Sequence, residues 1–565
     1  MSATERLLDT LDSAKRAFDS PQTRTAAALS QLKVIKIDNA GDLIRLHEIL
    51  LFMRAYPRGP RLLKQIERIL QQTKTLVEKL RDADADISPL DDPEVSGIAG
   101  GSVTSNFSYA IVRWLVANYP AQLSIDWDWF EEEDRFGAVT QRFLPLLADD
   151  AMVEAHVPFR DWLYAAKGRA RELTWLIRRF ESLPLAEKEK SNLYDSLKLH
   201  ITWRYGVRSS RSSMRLASGK PFFHNSPLIA RRDISLTREL SSPAIPIRAL
   251  SRVEGEKILD ITRETSAVRY RELHGFTYGD PQRVIKAEIG RGTVVYVVGV
   301  PPENRLPLRA YHAAMMFKNG VPVGYFEGLS ICERMESGFN LYYTFRDGET
   351  AWLYARILRL MRQLLGVTVF SIDPYQVGHE NEEGIESGAF WFYRKLGFRP
   401  VKPKLMRLME GEEKKVASRP GYRTSASTLR KLAAGHMLFE LSPSKSARIW
   451  DDFEVRNIGL AVQREMARHY DGESGAIRQK SVDKVSRALR IKTHGWSSAE
   501  LEALNDLALV LALDNGLESW TADQKQLALR IIRAKAGRDE SVYLKLMQKH
   551  AAFRDVLIKL GCQRR

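Results

Sequence analysis

The sequence predicts an α/β (α+β) protein in which a mixed-sheet domain is flanked by mainly α-helical N- and C-terminal regions. Residues 293–300 are β-branched and aromatic, a composition typical of strands. Asn319-Gly320 separates two apolar runs, which is a strong hairpin signal. Between Leu62 and Leu80, apolar residues recur at three- and four-residue spacing, as on one face of a helix.

A chain of 565 residues is too long for one compact core and is expected to form about two to four domains. The changes in pattern along the chain suggest five regions. They are a helical N-terminal region (1–85), a helical, tryptophan-rich region (103–200), a basic connector (201–243), the mixed-sheet domain (244–410) and a helical C-terminal domain (411–565).

The composition is that of a globular protein, with 44% hydrophobic and 28% charged residues. Cys332 and Cys562 are the only cysteines, so we expect neither a disulfide framework nor a cysteine-based zinc site. The first residues lack the apolar segment of a signal peptide, and no apolar run is long enough to span a bilayer. We therefore expect a cytoplasmic protein without a metal cofactor or a membrane partner.

The formal net charge of +16 is compatible with an anionic partner such as RNA, coenzyme A or a membrane surface. The alternative is that it marks no specific partner, because the excess is modest for a chain of this length. Arginines and lysines of the 204–232 stretch alternate with aromatic residues such as Trp203 and Phe222, as in sites for single-stranded nucleic acid. The stretch is therefore a candidate surface for a nucleic acid or a protein. The alternative is a connector that lies over an acidic surface of its own protein.

Within 244–410 the pattern alternates between strands and helices. The predicted order is a strand near 245–251, a helix over 252–273, a strand over 293–300, a hairpin over 310–329, a strand over 339–345, a helix over 349–365, a strand over 367–372, an aromatic helix over 386–395 and a closing strand near 405–409. Gly397 ends the aromatic helix at the position where a left-handed conformation is least strained for glycine.

Residues 389–398 read Ala-Phe-Trp-Phe-Tyr-Arg-Lys-Leu-Gly-Phe. Together with the order of the elements, this stretch resembles the A-x-x-x-Y-x-K-L-G-F segment of the GNAT-superfamily N-acyltransferases. The resemblance covers about residues 244–410 and implies acyl transfer from acetyl-coenzyme A, or another acyl-coenzyme A, to an amine that the sequence does not identify. It also implies that Tyr393 protonates the departing thiolate.

The resemblance further implies that the loop before the 349–365 helix binds the coenzyme A pyrophosphate through its amides. The residues concerned are Phe345, Arg346, Gly348, Glu349, Thr350 and Ala351. Glu349 stands where the family carries a glycine, and Asp347 adds a second negative charge. Two outcomes stay open: the loop binds through its amides with both carboxylates turned away, or the domain has kept the fold and lost the cofactor.

Acyl transfer to an amine also needs a base, and Glu327, after the hairpin turn, is the candidate. Its alternative is a carboxylate that faces solvent. The polar segment before the aromatic helix offers candidates for substrate binding, namely Tyr375, His379, Asn381 and Glu386. The alternative there is a solvated surface loop.

The sequence thus supports three hypotheses. The first is an acyl-coenzyme-A-dependent N-acyltransferase that works by direct attack of the amine. The second is a catalytically degenerate scaffold of the same fold whose helical regions bind a protein partner. The third is an aminoacyl-tRNA-dependent or RNA-directed transferase that uses the basic 204–232 stretch.

Overall fold

The computed structural model describes residues 2–19, 21–32, 36–144, 159–217, 219–441 and 449–563. The N-terminal region is helical, as predicted. Its helices within the described residues are α1 (Ala3–Arg16), α2 (Gln22–Gln31), α3 (Ala40–Ala55), α4 (Pro60–Gln71) and α5 (Thr73–Asp82). The apolar faces of α1 to α4 join the sheet and the C-terminal helices in one contiguous core, whereas α5 packs with part of α3 in a smaller cluster.

The tryptophan-rich region is not purely helical, in contrast to the prediction. It holds a small antiparallel sheet in the order β1 (Ser102–Ser105), β3 (Ile201–Arg204), β2 (Leu123–Ile125). The described helices around it are α6 (Tyr109–Asn118), α7 (Glu133–Thr140), α8 (Phe159–Lys167), α9 (Glu172–Ser182) and α10 (Glu187–Asp195). The third strand comes from the segment predicted as a connector, which also contains helix α11 (Leu236–Leu240).

The centre of the molecule is a mixed sheet of nine strands within the described residues, in the order β11-β12-β10-β9-β8-β7-β6-β5-β4. The strands are β4 (Ile247–Ala249), β5 (Val284–Gly290), β6 (Thr293–Val298), β7 (Ala310–Lys318), β8 (Val321–Ile331), β9 (Arg334–Leu341), β10 (Val369–Ile372), β11 (Arg399–Pro400) and β12 (Met437–Glu440). The helices between them are α12 (Arg252–Ala267), α13 (His274–Thr277), α14 (Thr350–Leu365), α15 (Glu382–Glu386), α16 (Ala389–Arg394), α17 (Pro403–Ser418) and α18 (Ala426–Leu432).

Helices cover both faces of this sheet. Helix α14 packs on one face, where the Tyr354 and Ser337 hydroxyls lie 2.8 Å apart. Helices α12 and α13 pack on the other, where a side chain added at Gly275 would meet Ala313 at 2.4 Å. The hairpin is confirmed, because Asn319 and Gly320 both have positive φ values (48° and 81°), as a two-residue hairpin turn requires.

Several predicted elements need correction. Residues 405–409 lie in helix α17 and not in a strand. The closing strand is β12, beyond the expected limit at residue 410. The aromatic helix is two short helices, α15 and α16, because Gly388 takes a left-handed conformation (φ 66°) between them. Strand β5 had no counterpart in the prediction, and β9 begins at Arg334, five residues before the predicted start.

The C-terminal region is helical, as predicted. Its described helices are α19 (Val455–His469), α20 (Ser474–Leu489), α21 (Ser498–Leu511), α22 (Ala522–Ala536), α23 (Glu540–Lys549) and α24 (Ala551–Gly561). Among the described residues, no helix has the length and apolar character needed to cross a bilayer.

Candidate functional site

The main cleft opens where two parallel strands separate. Strands β9 and β10 pair only from Arg334 to Glu336, whereas β9 runs on to Leu341 beside β8. The gap is a cavity of about 720 Å³. Phe339 and Asn340 of β9 line one side and Tyr393 of α16 the other. A volume of this size is typical of sites for small molecules.

Tyr393 lies in this cleft and is 3% exposed. Its ring packs against Tyr354 and Phe398. Its hydroxyl makes no hydrogen bond to any described residue. Burial raises the pKa of Tyr393, so the hydroxyl carries its proton at neutral pH. Packing thus holds the Tyr393 ring in place, and its hydroxyl is free to donate a hydrogen bond to a bound molecule.

A second chamber of about 340 Å³ adjoins the cleft at the N-terminus of α14. Arg346, Thr350 and Phe392 line both chambers, so the two are direct neighbours, and together they are called the depression below. Gly348 and Ala351 also line the second chamber, opposite residues 228–231 of the basic connector.

The start of α14, of which Thr350 and Ala351 line this chamber, has backbone N–H groups without a partner among the described residues. The first amide with a helical partner is that of Leu353, which donates to the Glu349 carbonyl at 2.9 Å. The amides of residues 350–352 have no partner among the described residues. Free amides at the positive end of a helix form a binding site for anions.

Glu349 does not face the chamber. Its carboxylate is 1% exposed, accepts a hydrogen bond from Lys318 Nζ at 3.0 Å and forms an ion pair with Arg291, whose Nε lies 2.7 Å away. Burial alone would raise the pKa of Glu349, but the two cations lower it overall. Asp347 lies within 3.6 Å of both Lys15 and Arg16. Both negative charges of the loop are therefore offset by cations of the protein itself.

The charged residues that line the chamber are two cations, Arg231 and Arg346, and one anion, Asp347. Burial lowers the pKa of the nearby Lys395 amine, and the positive charge of Arg231 lowers it further. Arg346 is already paired with Glu383 at the rim of the cleft.

Two predicted substrate residues lie at the cleft and two do not. Tyr375 and Asn381 line it. The Asn381 side chain also has a structural role, because it accepts from the Gly384 N–H and donates to the Tyr375 carbonyl. His379 and Glu386 are exposed and lie outside the lining.

Phe345 and Glu327 also lie outside the lining of the depression. Phe345 is a core residue, 1% exposed. Glu327 lies on the same sheet face as Tyr325, which does line the cleft. Its carboxylate accepts a hydrogen bond from the Tyr311 hydroxyl.

Sequence reasoning missed part of the lining, including Arg271, Tyr325, Asn340, Gln376 and residues 228–231. Of these residues, only Arg231 could be singled out from the sequence, since it belongs to the basic 204–232 stretch. The others come from segments far apart in the chain and carry no motif.

Within the basic stretch, two arginines serve the fold. Arg211 is 2% exposed and pairs with Glu48 at 2.8 Å, and Arg215 pairs with Glu67 at 2.9 Å. Arg204 and Arg208 are exposed. The connector interpretation therefore describes part of the stretch, and a nucleic-acid partner stays a prediction for the rest.

Comparison with known proteins gives no relative: no family model, no curated protein and no solved structure matches the chain.

Proposed function

We propose that this protein is a GNAT-type N-acyltransferase that binds an acyl-coenzyme A in the depression between β9, β10 and the N-terminus of α14. The observation that carries the proposal is the placement of two features in adjoining cavities. Free amides at the start of α14 suit a diphosphate, and the free hydroxyl of Tyr393 lies in the adjoining cleft.

The reaction follows from this placement. A neutral amine attacks the thioester carbonyl, so that a C–N bond forms while the C–S bond breaks. The departing sulfur needs a proton, and the Tyr393 hydroxyl supplies it because burial keeps this group protonated. The base that deprotonates the incoming ammonium is Glu327, acting through water, or the solvent itself.

The cofactor part of the proposal rests on the start of α14, where Glu349 is turned away beneath Lys318 and Arg291. The diphosphate then meets the amides of residues 350–352, with Arg231 and Arg346 beside it. The departure from the family's glycine is thus compatible with binding, because the glutamate is buried away from the anion.

Thr350→Asp tests this binding mode. A negative charge in the first helical turn interacts favourably with the helix dipole, so the melting temperature should be equal to or higher than that of the native chain. The same charge repels a diphosphate, so the affinity for acetyl-coenzyme A should fall by at least about tenfold. Thr350→Ser is the matched control and should bind like the native chain. Failure of the native chain to bind any coenzyme A thioester at millimolar concentration would overturn the proposal in favour of a degenerate scaffold.

Catalysis is tested by thiol release from acetyl-coenzyme A with a panel of primary amines. Tyr393→Phe should lower the turnover rate by about 10²–10⁴-fold, the usual contribution of a general acid, without weakening thioester binding. Tyr164→Phe is the control, because Tyr164 lies on α8, is 48% exposed and lines neither chamber of the depression. Equal turnover in both variants would remove Tyr393 from the mechanism.

A further inference from the structure

A second cavity, of about 220 Å³, lies on the same sheet face as the cleft, near the other end of β9. Glu336, Asp373 and His436 line it. One ligand atom from each of these side chains lies within 4.8 Å of the other two. The acyl transfer proposed above uses none of them.

Three adjacent strands bring these residues together. Glu336 lies on β9 opposite Ser371 of β10. Asp373 directly follows β10, and His436 directly precedes β12, at the point where Ile372 and Met437 pair. The three positions span a hundred residues of sequence, so no local motif announces the cluster.

The three side chains retain most of their capacity to bind a ligand. The Glu336 carboxylate makes no hydrogen bond to a described residue, and its contact with Arg309 at 3.7 Å is too long for one. Neither ring nitrogen of His436 has a partner among the described residues, and Nδ1 is shielded from solvent. Asp373 uses one oxygen to accept the Tyr375 N–H at 2.8 Å.

Two arginines form another side of the same cavity. Arg334 is 5% exposed, and its Nη1 donates to the Phe453 carbonyl at 3.0 Å, but its Nε has no partner. Arg309 lines the cavity as well. The Arg334 guanidinium also stacks on Trp450 and Phe453, so two positive charges border the cavity on the side of these aromatic rings.

We propose that Glu336, Asp373 and His436 hold a divalent transition-metal ion of the zinc or manganese class, with an oxyanion on the open coordination position beside Arg334 and Arg309. One imidazole and two carboxylates form a ligand set that such ions accept. A tetrahedral ion with bonds of about 2.1 Å keeps its ligand atoms roughly 3.4 Å apart. The ligand atoms already lie within 4.8 Å of one another, so the shift needed to reach that spacing is small.

The charge balance of the site calls for an oxyanion. Two carboxylates neutralise a divalent ion, so the positive charges of Arg334 and Arg309 would lack a counterion if the metal bound alone. A carboxylate or phosphate group bound to the metal pairs with both guanidinium groups. The remaining charged residues of the lining, Glu454 and Arg456, pair with each other.

The test uses the full chain, stripped with a chelator and dialysed against micromolar Zn²⁺ or Mn²⁺, with bound metal measured by mass spectrometry. One ion per chain is expected. Glu336→Gln and His436→Gln should each lower the affinity by at least about 100-fold, since even the loss of residues that only orient metal ligands costs 10–100-fold. His494→Gln, at an exposed histidine, should bind like the native chain.

Arg309→Met provides a variant with the opposite sign. It removes a cation beside the site, so metal affinity should rise several-fold in a buffer without oxyanions. Co²⁺ added to the native chain gives an independent readout, because its visible spectrum reports the coordination number. The proposal would be overturned if the native chain retained no ion. It would also be overturned if the Glu336→Gln and His436→Gln variants bound the metal as tightly as the native chain. A rise in the melting temperature of the metal-free chain with L-lysine or glycine alone would also overturn it, because it would assign the cavity to an ammonium group.

Discussion

The carboxylate of Glu349 is buried away from the proposed anion site, although the residue lies in the loop that forms this site. It is buried between Lys318, which is 2% exposed, and Arg291. Burial lowers the pKa of Lys318 to about 8, although Glu349 acts in the opposite direction. Each charge therefore depends on the others, because an ion left alone in this environment is strongly destabilising.

Glu349→Gln is expected to destabilise the protein by about 3–5 kcal/mol, the usual cost of removing one partner of a buried ion pair. Adding Lys318→Met to this variant should recover part of the loss, since the second change removes the unpaired cation. The measurement is the melting temperature of both single variants and of the double variant. Additive losses would show that the two groups do not interact.

The exposed pair of Lys286 and Glu288 serves as the control for this cycle. Its nitrogen and oxygen lie 2.6 Å apart, yet the Glu288 side chain is 64% exposed. Glu288→Gln should therefore change the stability by less than about 1 kcal/mol.

At the scale of elements, the break between α15 and α16 sets the direction from which Tyr393 enters the cleft. Gly388 has a φ of 66°, and a side chain added there meets no atom within 4 Å. Replacing Gly388 by a residue with a side chain therefore causes no steric clash and destabilises the protein only through strain in the backbone. Gly411 lies inside helix α17, also with nothing within 4 Å, but its conformation is helical.

The same substitution should therefore have opposite effects at the two glycines. Gly388→Ala is expected to destabilise the protein by about 1–2 kcal/mol, because alanine is strained in the left-handed region. Gly411→Ala should stabilise it by about 0.5–1 kcal/mol, because alanine loses less entropy in a helix. Melting temperatures that move in the same direction would contradict this account.

Elements with a strong local pattern could be predicted from the sequence. The hairpin at Asn319-Gly320 and helix α14 are of this kind, since turn chemistry and apolar spacing determine them. The residues predicted as a closing strand form helix α17, and the strand that closes the sheet, β12, comes about thirty residues later. Only tertiary pairing with β10 places it there.

The candidate site shows the same division. Tyr393 and the start of α14 carry local signals and were predicted. The burial of Glu349 could not be predicted, because it depends on Arg291 and Lys318, which come from other segments of the chain. The cluster of Glu336, Asp373 and His436 could not be foreseen, because it exists only after three strands align.

At the scale of the whole molecule, a buried polar network joins the N-terminal helices to the loop before α14. Glu48 of α3 pairs with Arg211 at 2.8 Å and accepts a hydrogen bond from Thr344, which lies in that loop. His47 lies 3.0 Å from the Ser212 hydroxyl. The network therefore holds the loop of the proposed cofactor site against the N-terminal region.

Acid should weaken this junction. Burial opposes ionisation of Glu48, yet Arg211 and His47 lower its pKa to about 2, compared with an ordinary value of 4.5. A carboxyl group with a lowered pKa stabilises the fold above pH 4.5, and this contribution is lost as the pH falls towards 2. Burial also lowers the pKa of His47 below its ordinary 6.5, so protonation of the unfolded chain adds to the loss below that pH.

Hydrogen exchange measures this effect where it should occur. At pH 7, the hydrogen-bonded amides of α3 and of Tyr342, Phe345, Arg346, Gly348 and Glu349 should be well protected. Both sets should lose protection together as the pH falls from 4.5 towards 2 if they form one unit. Arg211→Met should produce the same joint loss already at pH 7, because Glu48 then stays buried without its main cation. Arg208→Met, three residues earlier and exposed, should leave the exchange unchanged. Separate loss of protection in the two segments would show that the network does not couple the N-terminal helices to the loop before α14.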